Sequence, residues 1–575
     1  MKGDTVIFGN IITMKDAASR AEALVVRDGK IILVGDRKDA LEYLDEETEI
    51  FDYDNNYVYP GMIESHCHPV AAGLVLSMLQ LGDCKTKEET LAAIRKEVES
   101  HPEQDQYKAF GWKMDVCPGD RKLLDEISDK PMLISSGCGH FGWMNTAAMK
   151  LVGIDRSWVE KYGEDMVKVD ENGEPTGVVG ESAKTDASAK WPETIQSLEK
   201  SILAWQTLAC SKGITATCEA FINLAGPRAI EAYHNIAERG DLTLPTFAMF
   251  EIKENEPDIQ KSVEQLAAYR DQYATGAFHL NTVKVFLDGV VECRTAWLLD
   301  DYLDQPGYQG VKRFTDADKF AAMTKRAQEL GLNIHCHSIG NGATKFMCDA
   351  LEKLDRDTVR SMRNGAAHLE LIRPEDIQRM ADMNITAVTP PLWVAKNNYP
   401  SFEDEAKLTG RELAEKAYPI KSFLNAGANV TFHSDFPVSQ QFDIPETIYD
   451  AITRNAYGNE GDEFVRGIEE ALSPYEALCA LTKNAAYAFG VENEMGTLEE
   501  GKAANMVVFD TDFLNCRTSH IPEATLMATI VDGREVYTSR EEDMRVALYN
   551  KLLPVVGDIL KSVFGNDLLL TDLNS

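Results

Sequence analysis

The chain is predicted to be an α/β protein: a (β/α)8 barrel, a small β domain assembled from both ends of the sequence, and a large insert after the first barrel strand. Three observations predict this. Short β-branched or aromatic runs alternate with longer segments of helical period through the middle of the chain, the pattern of βα units around a parallel sheet. Both ends carry hairpin signals, Asp28-Gly29 inside EALVVRDGKIILVG and a second Asp-Gly inside ATIVDGREVY. The residues with the most distinctive chemistry stand where the central runs end, and the carboxyl ends of the strands are the functional face of such a barrel.

Taken in order, residues 1–57 read as short strands, TVIFGNIITM and then the Asp28-Gly29 hairpin. Residues 485–540, with GTLEEGKAANMVVFD and ATIVDGREVY, repeat that signature and are expected to pair with them. Residues 58–484 form the barrel, with candidate strands at 58–65, 213–221, 244–251, 281–289, 332–338, 365–372, 384–391 and 429–437. About 150 residues separate the first two of these runs, too many for one crossover, so an inserted subdomain is expected at about 75–200. Residues 541–575 read as a helical extension, with Leu548, Leu552, Val555, Ile559 and Val563 on one face and Pro554 and Gly557 interrupting it.

A chain of 575 residues has room for one large domain with accessory parts and a buried cavity. Its formal net charge of −35 argues against nucleic acid and anionic membranes as partners, because most of the surface would repel them. A neutral or cationic small-molecule substrate is expected instead. The 11 cysteines are scattered singly with no CxxC pair, which fits reduced thiols and a cytoplasmic location. Neither an export signal nor an apolar run of membrane-spanning length is read in the sequence.

The first strand ends in YPGMIESHCHPV. In an extended segment residues i and i+2 point the same way, so His66 and His68 can converge on one point while Cys67 faces the other side. Lys284 lies on the fourth strand, His335 and His337 end the fifth, His368 ends the sixth and Asp435 ends the eighth. Such groups are costly to bury unless something binds them. Imidazole and carboxylate without thiolate suit zinc, or another divalent ion such as iron or manganese, at a catalytic site. A cupin-type oxygenase also uses an HxH pair, but eight βα units rather than a double sheet speak against it.

With these residues in place the sequence resembles the amidohydrolase superfamily, and within it the amidohydrolase-3 branch of YtcJ-like and N-substituted formamide deformylase-like proteins. PGMIESHCHP resembles the branch's PGxIDxHxHP, VKVFLDG its KxFxDG, HCHSIGNGA its HAIGD segment, AAHLELI its sixth-strand histidine and HSDFPV its SDxPV. The resemblance implies one or two metal ions held by His66, His68, Lys284, His337, His368 and Asp435, with Lys284 converted by CO2 to a carbamate. It also implies that the terminal segments form a composite β-sandwich, and it makes a homodimer a reasonable expectation. The alternative for Lys284 is an ammonium at the barrel rim or paired with Asp288 or Glu219, and His335 reads as a residue behind the ligands or in the core. Asn341, Glu219, His433 and Asn505 depart from the usual pattern without removing a ligand.

The implied activity is hydrolysis of an amide-like C–N bond in a small molecule, with Asp435 as general base and acid. Deamination, or opening of a cyclic amide or lactone, is the alternative on the same site, and a non-catalytic binding or scaffold protein is the alternative of another class. Candidate substrate contacts are His140 in GHFGWMN, Arg294 in ECRTA, Trp112, Trp143 and Glu219. For His140 the competing reading is packing within the insert, for Arg294 a salt bridge, and for the tryptophans a place in the core.

Overall fold

Asp28 and Gly29 both adopt left-handed backbone angles, φ 50° and 71°, and so do Asp532 and Gly533 at 49° and 77°. Two-residue turns of this kind match the twist of the strands they join. They connect strands 20–27 and 30–35 at one end of the chain and 526–531 and 534–538 at the other. The computed structural model describes residues 2–136, 141–191, 193–397, 401–439, 442–459, 461–540 and 546. His140 and nearly all of the predicted C-terminal helix lie outside the described residues.

The two ends of the chain meet in a seven-stranded sheet. Strand 506–509 runs antiparallel to strand 49–60, pairing Val508 with Val58 and Met506 with Pro60. The expected terminal domain therefore forms as one hydrogen-bonded sheet. One of its faces buries Ile7, Leu24, Val58, Met506 and Ile530, and a second cluster buries Val6, Phe8, Val25 and Ala40.

The barrel strands are β1 (Met62–Cys67), β2 (Ile214–Glu219), β3 (Thr246–Glu251), β4 (Phe278–Phe286), β5 (Asn333–Ser338), β6 (Gly365–His368), β7 (Thr386–Thr389) and β8 (Val430–Phe432). They lie side by side in chain order, and every hydrogen-bonded pair is parallel. β1 and β8 are joined just beyond the end of β8, where Asp435 N–H donates to the His66 carbonyl at 3.0 Å and His68 N–H donates to the Phe436 carbonyl at 2.8 Å. Every strand therefore delivers its last residues to the same rim.

The first barrel strand is shorter than the sequence suggests. Residues 58–60 belong to the terminal sheet, and β1 starts only at Met62. The break falls at Gly61, where a Cβ would lie 1.9 Å from Thr215 Oγ1 on β2, so only glycine allows the chain to pass that close.

Val70–Trp205, the long insert, forms a separate compact unit. It is built on a six-stranded mixed sheet that includes strands Tyr107–Trp112, Met132–Ser136 and Phe141–Met144. Among the described residues no helix is long and apolar enough to cross a membrane.

Candidate metal centre

His66 and His68 are both buried at the end of β1. Cys67 faces away as the strand alternation requires, its thiol 3.3 Å from Thr217 Oγ1 and donating to the Cys218 carbonyl at 3.2 Å. His66 Nε2 and His68 Nε2 lie 3.4 and 3.2 Å from Asp435 Oδ1. His66 Nε2 is also 3.4 Å from Lys284 Nζ. The His66 ring centroid is 5.1 Å from that of His368, and the His368 centroid is 4.5 Å from that of His337. The six residues expected to hold metal thus form one continuous buried cluster fed by β1, β4, β5, β6 and the segment after β8.

Within it, His66, His368 and Asp435 each offer one ligand atom within 4.8 Å of the others. Two imidazoles and a carboxylate, all buried, could hold a borderline divalent ion and leave positions for further ligands. His68 Nδ1 and His368 Nδ1 are buried with no hydrogen-bond partner among the described residues. His368 and Asp435 also hold left-handed φ angles of 76° and 55°. Such angles cost about 1–3 kcal/mol each and persist where the surroundings enforce them.

The groups behind these donors fix their direction. Asp288, just past β4, accepts from His337 Nδ1 at 3.2 Å, Ile339 N–H at 3.1 Å, Gly340 N–H at 2.7 Å and Trp297 N–H at 2.9 Å. The opposite nitrogen of His337 is left as its outward donor. Glu64, two residues before His66 on the same strand, accepts His66 N–H at 3.0 Å and Ser434 N–H at 3.1 Å, tying the ends of β1 and β8 together. His335 Nε2 lies 2.9 Å from His66 Nδ1.

Burial governs the ionisation of the site. It lowers His66, His335 and His368 well below the usual histidine range, with help from the Lys284 cation or neighbouring imidazoles, and brings His433 down to about 3. It lowers His337 too, against the pull of Asp288. Neutral rings are the form in which histidine binds metal. Lys284, fully enclosed, is pulled down to about 8 by the same desolvation, and burial raises Glu64 to about 7. For Asp435 burial pushes upward, but the hydrogen bond from His68 together with the charges of His68, His433 and Lys284 holds the carboxyl below its ordinary value.

Four of the five residues expected to touch substrate lie among the described residues. Trp112 and Trp143 are packed together in the core of the insert, ring centroids 5.2 Å apart, with Trp112 Nε1 donating to the Cys117 carbonyl at 2.7 Å. Large rings gain most by leaving water, and here they do so inside their own unit. Arg294, expected to hold a substrate carbonyl, directs its guanidinium to Asp304, with Nε at 2.8 Å from the carboxylate. Glu219 ends β2 and is buried, accepting the Phe221 N–H at 3.4 Å.

The sequence reading did not single out Glu64 or Trp393, and it named Asp288 only as an alternative partner of Lys284, not as the partner of His337. Trp393 stacks on His368 with centroids 5.6 Å apart and planes 5° from parallel, and its indole N–H donates to Ser439 Oγ at 2.6 Å. His433 stands 5.3 Å from His66 and 5.0 Å from His368, centroid to centroid, with neither ring nitrogen bonded among the described residues.

Comparison with known proteins places this architecture among relatives. The chain is 26% identical to the putative amidohydrolase YtcJ of Bacillus subtilis, over 92% of its own length and 98% of that protein. It is 25% identical to an N-substituted formamide deformylase of Arthrobacter pascens, over 93% of its own length and 98% of that protein. The fold matches the crystal structure of an uncharacterized metal-dependent hydrolase from Pyrococcus furiosus with a TM-score of 0.68 at 24% identity, covering 89% of this chain and all of that one. The family model described as the amidohydrolase family matches residues 49–537. The chain belongs to the amidohydrolase family.

Proposed function

We propose that the protein hydrolyses a C–N bond of the amide or N-substituted formamide type in a small molecule, using a divalent metal held by His66, His68, His337, His368 and Asp435, with Lys284 as a sixth ligand. The observation that carries this reading is the buried group of His66, His368 and Asp435, with ligand atoms within 4.8 Å, at the end of a parallel barrel where catalytic residues gather. The similarity to a formamide deformylase supports the choice of bond.

A bound divalent ion would lower the pKa of water toward neutrality and polarise the carbonyl under attack. Asp435 accepts the proton of the attacking water and returns it to the departing nitrogen, a role open to a carboxylate held ionised. His68, 3.2 Å from Asp435 Oδ1, keeps that carboxylate oriented. Asp288 and Glu64 hold His337 and the His66 backbone in place. Lys284 is enclosed among imidazoles, where an ammonium is costly. Its free amine, adding to CO2 with formation of an N–C bond and loss of one proton, becomes a carbamate anion whose oxygens suit a cation.

The reading is tested with full-length protein loaded in turn with zinc, iron or manganese and offered N-substituted formamides, simple amides, cyclic amides and aminated heterocycles. Release of amine from an acyclic amide is expected, and Asp435→Asn should lower turnover by about 10²- to 10⁴-fold. Ammonia released from heterocycles alone would replace the proposal with deamination. Absence of turnover in every metal form would remove it.

A further inference from the structure

The two ring nitrogens of His66 face opposite ways. Nε2 is 3.4 Å from both Lys284 Nζ and Asp435 Oδ1, and Nδ1 is 2.9 Å from Nε2 of His335. A neutral imidazole carries one proton, so Nε2 has a lone pair to give only when Nδ1 keeps the hydrogen. A lone pair on Nε2 therefore requires an acceptor facing Nδ1. We propose that His335 is that acceptor, a positioning residue that takes the Nδ1–H of His66 and keeps the Nε2 lone pair of His66 turned toward the metal centre. This rests on the metal-dependent reading above.

The fold gives His335 this role and withholds it from His337. Both lie on one face of β5, because residues two apart in a strand point the same way. His335 pairs in register with Lys284 on one side and Gly365 on the other. Its Nε2 is taken by His66, so this ring does not offer that atom to a cation. His337 has its Nδ1 on the Asp288 carboxylate, so Nε2 is the nitrogen it can offer to a cation. The space for the His335 ring depends on Gly365, where a Cβ would stand 3.0 Å from His335 Nδ1. The ring is itself buried, so its hydrogen bond to His66 is made in a dry setting where it cannot be exchanged cheaply for water.

The two supports also differ in charge. A carboxylate behind a ligating histidine raises the ligand's basicity, whereas an imidazole sets tautomer and direction without adding charge. His66 and His337 thus enter the centre as unlike donors although both come from HxH segments.

The test measures zinc affinity rather than turnover, by competing full-length protein against a chromophoric chelator while thermal unfolding of each metal-free variant reports its fold. His335→Ala is expected to weaken zinc binding about 10- to 100-fold, the usual effect of removing the group behind a ligating histidine. His335→Gln, whose side-chain carbonyl can accept the same proton, is expected to retain more affinity than His335→Ala. Should His335→Ala not fold, His335→Leu fills the space without an acceptor and is read in the same way. Wild-type affinity in the variant lacking an acceptor, with binding lost in His66→Ala, would overturn the assignment of His335 alone. A His335→Gln affinity as low as that of His335→Ala would overturn it too. Wild-type protein that takes up no zinc, iron or manganese would overturn the metal reading on which it rests.

Discussion

At the scale of single residues, Asp288 is the position whose loss should spread furthest. Its carboxylate accepts from His337 and from the N–H groups of Trp297, Ile339 and Gly340. Asparagine offers one acceptor oxygen and turns an NH2 toward groups that are themselves donors, and each buried N–H left unpaired costs about 1–3 kcal/mol. Asp288→Asn is therefore expected to lower the melting temperature and, separately, to weaken zinc binding about 10- to 100-fold, since it frees the ring of His337. Thermal unfolding and chelator competition on the same preparation check both parts, and an unchanged zinc affinity would show that His337 needs no support. The gathering of the candidate ligands was readable in the sequence: alternation along a strand pairs His66 with His68, and Lys284, His337, His368 and Asp435 each fall near the end of an apolar run. Their supports were not. Asp288 and Glu64 work largely by accepting backbone N–H groups, several from segments between strands whose course no side-chain pattern records, and Trp112 and Trp143 show that a tryptophan beside a glycine-rich motif can be packed in a core.

At the scale of elements, the strands follow apolar runs because each is buried, but their limits are set by backbone geometry. The run at 58–65 reads as one strand, yet the chain changes sheets at Gly61. Gly61→Ala would set a Cβ 1.9 Å from Thr215 Oγ1, against a neighbouring strand that cannot retreat without disturbing the barrel. Overpacking of this kind costs about 1–3 kcal/mol. The expected outcome is a lower melting temperature by calorimetry, and a melting temperature equal to the wild type would contradict the close passage of β1 over β2. The hairpins were readable to the residue, because Asp-Gly is the pair that tolerates two successive left-handed angles. The end of β6 was not: the run to residue 372 looks extended, but the strand stops at His368, whose left-handed φ of 76° ends the extended backbone.

At the scale of the whole molecule, chain order and function are tied by the closure of the barrel. The first and last barrel strands meet through His66, His68, Asp435 and Phe436, so the segments that complete the barrel are segments that carry candidate ligands. The sequence indicated this much, with eight runs, two matching ends and one oversized gap, because each reflects burial of a face or the length a crossover needs. It did not indicate the single-sheet form of the terminal domain, which depends on pairing between strands some 450 residues apart in the chain. The central claim is that dispersed residues are brought together to bind a cation, and a ligand that binds only the folded chain stabilises it in proportion to the logarithm of its excess over the dissociation constant. Elemental analysis of gently purified full-length protein, beside the His66→Ala/His68→Ala double variant with its fold confirmed by thermal unfolding, tests that claim most directly. The account predicts one or two equivalents of zinc, iron or manganese in the wild type and near none in the variant; equal metal in both would contradict it.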